Sequence, residues 1–219
     1  MSWKHIFALV HKDALIEWRQ KHTLFGVLLY VGSTVFALYM MSGQPDNPKI
    51  WNALFWICQL FVTVNSVAKS FLQESTARYR YYFTLVRPGH FMAAKLLYSA
   101  GIQVLISLIS LALFTLMLGN PLKQSGLFLL VTISGCLALS SVFTFLSAIA
   151  AKAGQNAALM AILGFPIITP VLMILSKLSV KAVLPVYQEG WISLLLVLLA
   201  LSLLVVVLSL VLFPFLWKE

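Results

Sequence analysis

Long apolar runs separated by short polar breaks dominate the pattern of this chain. A helix needs about 20 mostly apolar residues to cross a hydrocarbon core. Six segments qualify: 23–41, 50–68, 96–118, 126–151, 157–176 and 191–217. The first ends at the turn-forming run Gly43-Gln44-Pro45-Asp46-Asn47-Pro48, and the third at Gly119-Asn120-Pro121, both built from residues that punctuate helices. The sixth is long enough to tilt. Gly164, Pro166 and Pro170 interrupt the fifth. Each proline removes a backbone donor and crowds the preceding turn, so the pair predicts a break or a strong kink within the membrane. Irregular backbone at that depth is tolerated only against protein or a cavity, and discontinuous helices often mark transport sites. These three residues are therefore the candidate transport or conformational element; a static kink that serves packing is the alternative.

Two further segments are too charged to span. In 1–21, Trp3, Ile6, Phe7, Val10, Ala14 and Trp18 form one apolar stripe at helical spacing, with Lys4, His11, Lys12, Arg19 and Lys21 mostly off it. A basic amphipathic helix of this kind lies in the membrane interface, either as a plain anchor or as an elbow helix touching a cytoplasmic partner. In 69–95, Ser75 or Thr76 can cap a helix, and the run continues without a breaker until Pro88-Gly89, which is expected to stop it. A cytoplasmic helix within 70–88 is expected, with Tyr79, Tyr82, Phe83 and Val86 along one side. Aromatic residues and arginine are enriched in protein interfaces. Glu74, Arg78, Arg80, Tyr82 and Arg87 are the candidate contacts to a partner subunit, with an interfacial helix held by lipid alone as the alternative.

Composition narrows the class. Apolar residues fill 61% of the 219 positions and charged residues 10%, with a mean hydropathy of +0.97. A soluble domain is about half apolar and a quarter charged, so the expected architecture is one all-α transmembrane domain over 1–219, with no room for a catalytic domain. The net charge of +9 would suit nucleic acid, but the basic residues fall between apolar runs rather than along one face. The bilayer is the expected partner, and nucleic acid is not. Their placement also sets orientation. With the N-terminus inside, Lys4, Lys12, Arg19, Lys21, Lys69, Arg78, Arg80, Arg87, Lys95, Lys152 and Lys218 are cytoplasmic, against Lys49, Lys123, Lys177 and Lys181 outside. Both termini are thus expected in the cytoplasm. Asp13 and Glu17 precede any long apolar run, the wrong order for a cleavable signal peptide.

Missing motifs exclude further classes. No Asp, Glu, Lys, Arg or His lies in the central part of a span, which disfavours a proton or ion relay. No P-loop occurs, so ATP hydrolysis in that manner is not expected of this chain. Cys58 and Cys136 lie in apolar runs without CxxC spacing. His5, His11, His22 and His90 fall in boundary segments without HExxH, and GxSxG is absent, leaving no basis for a metal or nucleophilic catalytic site.

The order of pieces then becomes informative. Lys12-Asp13-Ala14-Leu15-Ile16-Glu17-Trp18-Arg19, Phe71-Leu72-Gln73-Glu74, Leu85-Val86-Arg87-Pro88, Ala94-Lys95 and Leu118-Gly119-Asn120-Pro121 are followed by Ser147-Ala148-Ile149-Ala150-Ala151-Lys152-Ala153-Gly154 and Leu163-Gly164-Phe165-Pro166-Ile167-Ile168-Thr169-Pro170-Val171. Taken together they resemble the haem exporter protein B (CcmB) family, ABC-2-type permeases of the cytochrome c maturation system. The resemblance covers nearly the whole chain. It departs at Ala77-Arg78-Tyr79-Arg80-Tyr81-Tyr82, where many members carry an acidic, glycine-containing stretch. It implies a homodimeric permease in the bacterial inner membrane, bound to a separate ATPase subunit beside a haem-handling membrane protein. It implies no cofactor within this chain: ATP belongs to the partner, and haem would enter as substrate. The rivals are an ABC-2-type exporter of another lipid or small molecule, an autonomous channel or carrier, and a structural scaffold.

Overall fold

The computed structural model describes residues 3–19, 21–67, 86–152, 157–183 and 190–218. Among them are seven helices and no strand: α1 (Trp3–Arg19), α2 (Lys21–Ser42), α3 (Pro48–Val67), α4 (Pro88–Met117), α5 (Ser125–Lys152), α6 (Ala157–Val183) and α7 (Trp191–Lys218). The six from α2 onward are long and apolar enough to cross a membrane. An even number of crossings brings both ends of the chain to one face.

Turn chemistry sets several helix ends. Gly43, at φ 61°, closes α2 with its N–H donated to the Tyr39 carbonyl at 2.8 Å. Asn47 heads α3: its carbonyl accepts the Ile50 N–H at 3.0 Å, and its Oδ1 accepts the Lys49 N–H at 2.9 Å. Pro48 takes the first helical position, where a missing N–H costs nothing. Beyond α4, Gly119 turns the chain at φ 82°, and Asn120 Oδ1 accepts the Leu122 N–H at 3.1 Å.

Two boundaries and one internal feature differ from the sequence expectation. α4 starts at Pro88 rather than near 96: Arg87 takes the N-cap position in extended backbone, with φ −65° and ψ 138°, and Pro88 opens the helix. The expected stop is thus a start. α6 runs to Val183, so 177–183, expected in an outer connection with room for a short amphipathic or re-entrant piece, continue the helix of the fifth span. The expected break in the fifth span is also corrected, because α6 is continuous with both prolines inside it. Each proline removes a single rung of the ladder while its neighbours keep theirs. Both rings also point away from the rest of the chain, where nothing packed forces the helix apart. The Thr169 hydroxyl adds a bond to the Phe165 carbonyl at 2.6 Å.

α5 sits at the centre, touching α3, α4, α6 and α7. Its sequence explains the position, since Gly135, Ala138, Ser140, Ser141, Thr144 and Ser147 present a small surface that lets neighbouring helices approach. Buried residues make up 67% of its membrane window, against 17% for α7. The outward Leu203, Leu204, Val207 and Phe215 of α7 suit lipid contact. At Gly135 the approach is extreme: a Cβ there would lie 2.5 Å from the Trp56 ring and 2.6 Å from Leu175 Cδ2. An aromatic cluster of Trp51, Phe55, Phe114 and Phe128 knits α3, α4 and α5 together, with ring centroids 5.4–5.7 Å apart. Trp51 Nε1 also donates to the Gly119 carbonyl at 3.1 Å.

Candidate functional site

The residues expected to matter fall into separate places. Glu74, Arg78, Arg80 and Tyr82 lie outside the described residues, as does all of the expected cytoplasmic helix up to 85. Arg87 is exposed at the start of α4. Gly164 is buried, and a Cβ on it would meet Leu146 Cδ1 at 3.0 Å and Ile168 Cδ1 at 3.2 Å. Pro166 and Pro170 are exposed on the outer side of α6. The three α6 candidates therefore divide, with the glycine serving contact with α5 and the prolines facing away from the chain's own core.

α1 meets the beginning of α4 through charged groups that hydropathy did not single out. Lys95 Nζ lies 3.1 Å from Asp13 Oδ2, with side-chain exposures of 5% and 7%, and Lys12 pairs with the other Asp13 oxygen at 2.9 Å. One turn farther along each helix, the Tyr98 hydroxyl donates to Glu17 Oε2. His5 stacks on His90 across the same junction, with centroids 6.4 Å apart. The expected apolar stripe of α1 divides accordingly. Ile6 is buried, whereas Phe7 and Trp18 are 65% and 73% exposed, which suits an interfacial helix with rings at headgroup depth. The sequence held a signal for this junction: Asp13 and Glu17 are one helical turn apart in an otherwise basic helix, which marks one face of α1 for polar partners such as Lys95 and Tyr98.

Inside the bundle a polar seam joins α3, α4 and α5. Gln103 Nε2 donates to Thr63 Oγ1 at 2.7 Å, while Gln103 Oε1 accepts from the Ser66 hydroxyl at 2.8 Å. The Ser107 hydroxyl donates to Gln59 Oε1 at 2.9 Å and accepts from Cys136 Sγ at 2.7 Å. Ser99 and Thr144 hydroxyls lie 2.6 Å apart. Buried Asn52 Oδ1, Gln59 Nε2, Ser110 Oγ and Ser140 Oγ make no hydrogen bond among the described residues. The seam holds no carboxylate, amine or imidazole, so its chemistry is neutral hydrogen bonding between helices. Among the described residues, no group of three His, Cys, Asp or Glu side chains is arranged to hold a metal.

At the face opposite the termini, α3 and α6 are locked by the Trp56 indole, which donates to the Ser179 hydroxyl at 2.8 Å. Ser179 in turn donates to the Leu175 carbonyl at 2.6 Å. The turn before α5 joins them, with the Gln124 N–H donated to the Ala182 carbonyl at 3.1 Å. Lys49, Ser176, Lys177, Val180, Lys181 and Leu194 line an open cavity of about 480 Å³ on this face.

No curated protein and no solved structure matches the chain. A family model described as CcmB protein matches residues 4–215, from within the interfacial helix α1 to the last turns of α7. With that coverage and a six-span helical fold, the chain belongs to the CcmB protein family, the permease family of cytochrome c maturation that its motifs resemble.

Proposed function

We propose that the protein is the transmembrane permease subunit of an ABC transporter complex whose ATPase is a separate chain. It acts in haem export or haem-chaperone release for cytochrome c maturation, as a homodimer in the bacterial inner membrane beside a haem-handling membrane protein. The observation that carries this reading is the family match over residues 4–215. The excess of Lys and Arg on the side of the termini supports a cytoplasmic placement of both ends.

On this reading the segment 70–88 receives the ATPase through Glu74, Arg78, Arg80, Tyr82 and Arg87. It runs directly into α4, whose first turns are tied to α1 by Lys95–Asp13 and Tyr98–Glu17. A pull on the segment then moves α1 and α4 as one body. α6, with Gly164, Pro166 and Pro170, is the element that responds.

Two measurements test the proposal. The chain is expected to co-purify with an ATPase subunit and to lose it on Tyr82→Ala combined with Arg87→Glu. A deletion strain is expected to lack mature cytochrome c. Normal cytochrome c assembly in that strain overturns the haem reading, and transport by the chain alone in liposomes overturns the dependence on an ATPase.

A further inference from the structure

We propose that the polar seam of α3, α4 and α5 is a water-binding site: a short file of buried waters, reached from the face of the termini and ended by the aromatic cluster. Bonds between α4 and α5 fix their register. The Ser99 hydroxyl meets Thr144 and the Ser107 hydroxyl meets Cys136, contacts eight residues apart on each helix (107 − 99 and 144 − 136) and in opposite directions. Residues four apart share one side of a helix. Gln103 and Ser140, midway between the two contacts, therefore stand at one level on the facing sides of α4 and α5. From α3, Thr63 joins the level of Gln103 and Gln59 the level of Ser107. The three helices thus build a polar ladder with rungs about 6 Å apart.

Two groups of this ladder, Gln59 Nε2 and Ser140 Oγ, make no hydrogen bond among the described residues, although both side chains are fully buried. Ser107 cannot serve the Gln59 amide nitrogen, because its hydroxyl already donates to Gln59 Oε1 and accepts from Cys136. Turning the amide over only exchanges which end is left over. Ser140 differs from its own helix: Thr132, Ser134, Ser141, Thr144 and Ser147 each donate to a carbonyl three or four residues back, and Ser140 does not. Unpaired buried donors are costly, and the hydrocarbon around the bundle offers them nothing. Water suits the place, since a buried water needs about two to four polar partners. Gln59 and Ser140 supply two. Thr63 Oγ1 and Gln103 Oε1 each accept one hydrogen bond from a side chain and keep a lone pair for another. Toward the termini, the same side of α4 continues through Ser99 to Lys95, which pairs with Asp13. In the other direction the stacked and tilted rings of Phe55, Phe114 and Phe128 close the interior. The remaining unpaired atoms stand apart from the ladder: Ser110 lies beside the Cys58 thiol, and Asn52 lies beyond Phe55 along α3. This inference rests on the seam alone and survives a failure of the ATPase reading.

The test places the full chain in nanodiscs in water enriched in heavy oxygen, applies a millisecond X-ray pulse, and reads heavy oxygen on each side chain by mass spectrometry. Radiolysis of a bound water oxidises the side chain beside it, and the Cys136 thiol lies within the ladder. Each residue is compared with itself in the urea-unfolded chain. Cys136 is expected to retain about a tenth of its unfolded labelling despite complete burial, while the equally buried Phe128 retains about a hundredth or less. Ser140→Ala is expected to lower Cys136 labelling about threefold, and Gln59→Leu with Ser140→Ala about tenfold. Ser140→Ala removes one hydroxyl and no contact with another side chain, so an unchanged melting temperature shows that its loss of labelling is not a loss of fold. It also decides the matter alone if the double variant fails to fold. Cys136 protected as fully as Phe128, or labelled equally in wild type and Ser140→Ala, overturns the water site. Phe128 labelled together with Cys136 overturns the one-sided route.

Discussion

Gly135 and Lys95 show how much a single residue can decide in this bundle. A methyl group at Gly135 falls 2.5 Å from the Trp56 ring and 2.6 Å from Leu175, below any contact a real Cβ makes. Gly135→Ala is therefore expected to force α5 away from α3 and α6 and to cost about 1–3 kcal/mol, read as a lower melting temperature in detergent. Gly164→Ala meets the ends of two flexible aliphatic side chains at 3.0 and 3.2 Å and should cost distinctly less in the same assay. Lys95 poses an electrostatic question. It is buried against Asp13, which Lys12 also contacts, so Lys95→Met removes one of two counter-ions and is expected to cost less than the loss of about 3–5 kcal/mol seen when a buried pair is broken outright. Asp13→Leu takes the carboxylate from both lysines and should therefore destabilise the protein more than Lys95→Met. The comparison is a melting experiment on the two single variants. Nothing in hydropathy announces this pair: a window average across Ala94-Lys95-Leu96 registers one charge in an apolar run, and the carboxylate that neutralises it lies 82 positions away (95 − 13).

The elements themselves were legible wherever length and turn residues decide them. All six expected spans exist, and Gly43, Asn47-Pro48 and Gly119-Asn120 mark ends as their backbone chemistry requires. The errors share one cause: polar residues inside a helix that find partners in three dimensions. The first turns of α4 carry His90 and Lys95, satisfied by α1, and so fell outside the apolar window. The last turns of α6 carry Lys177, Ser179 and Lys181, which look like loop until Trp56 and the cavity are seen. At Pro166 and Pro170, where local propensity predicted a break or a strong kink, the long apolar helix continues without a break. Both substitutions restore a missing ladder donor, so Pro166→Ala with Pro170→Ala should raise thermal stability by up to about 3 kcal/mol. If α6 is the responding element, the same variant loses cytochrome c maturation while becoming more stable. Gain of stability with unchanged maturation would reduce the prolines to packing residues. The polar seam was half legible: Gln59 and Gln103 stand out within apolar spans, but that Gln103 meets Thr63 and Ser66 while Gln59 meets Ser107 depends on the rotation of two helices about their axes.

At the scale of the whole molecule, the outer surfaces of α6 and α7 separate what lipid can cover from what needs protein. α7 presents aliphatic side chains over an unbroken stretch, including Leu203, Leu204 and Val207. α6 presents Ile162, Phe165 and Met173, 68%, 75% and 56% exposed, interleaved with exposed Pro166, Thr169 and Pro170. Pro166 and Pro170 also deprive the carbonyls of Ile162 and Pro166 of their usual ladder donors, and backbone without partners is tolerated in a bilayer only where protein covers it. A second copy of the chain that covered this stripe would remove the difficulty, and the homodimer of the proposed function then has its seam on α6. Disulfide formation needs Cα atoms within about 7 Å, which makes the prediction local. In a background with Cys58 and Cys136 replaced by Ala, Phe165→Cys is expected to oxidise to a covalent dimer in native membranes, whereas Val207→Cys on α7 stays monomeric. A dimer formed through position 207 and not through 165 would move the seam to α7 and leave the α6 prolines facing lipid, with their freed carbonyls satisfied inside the chain.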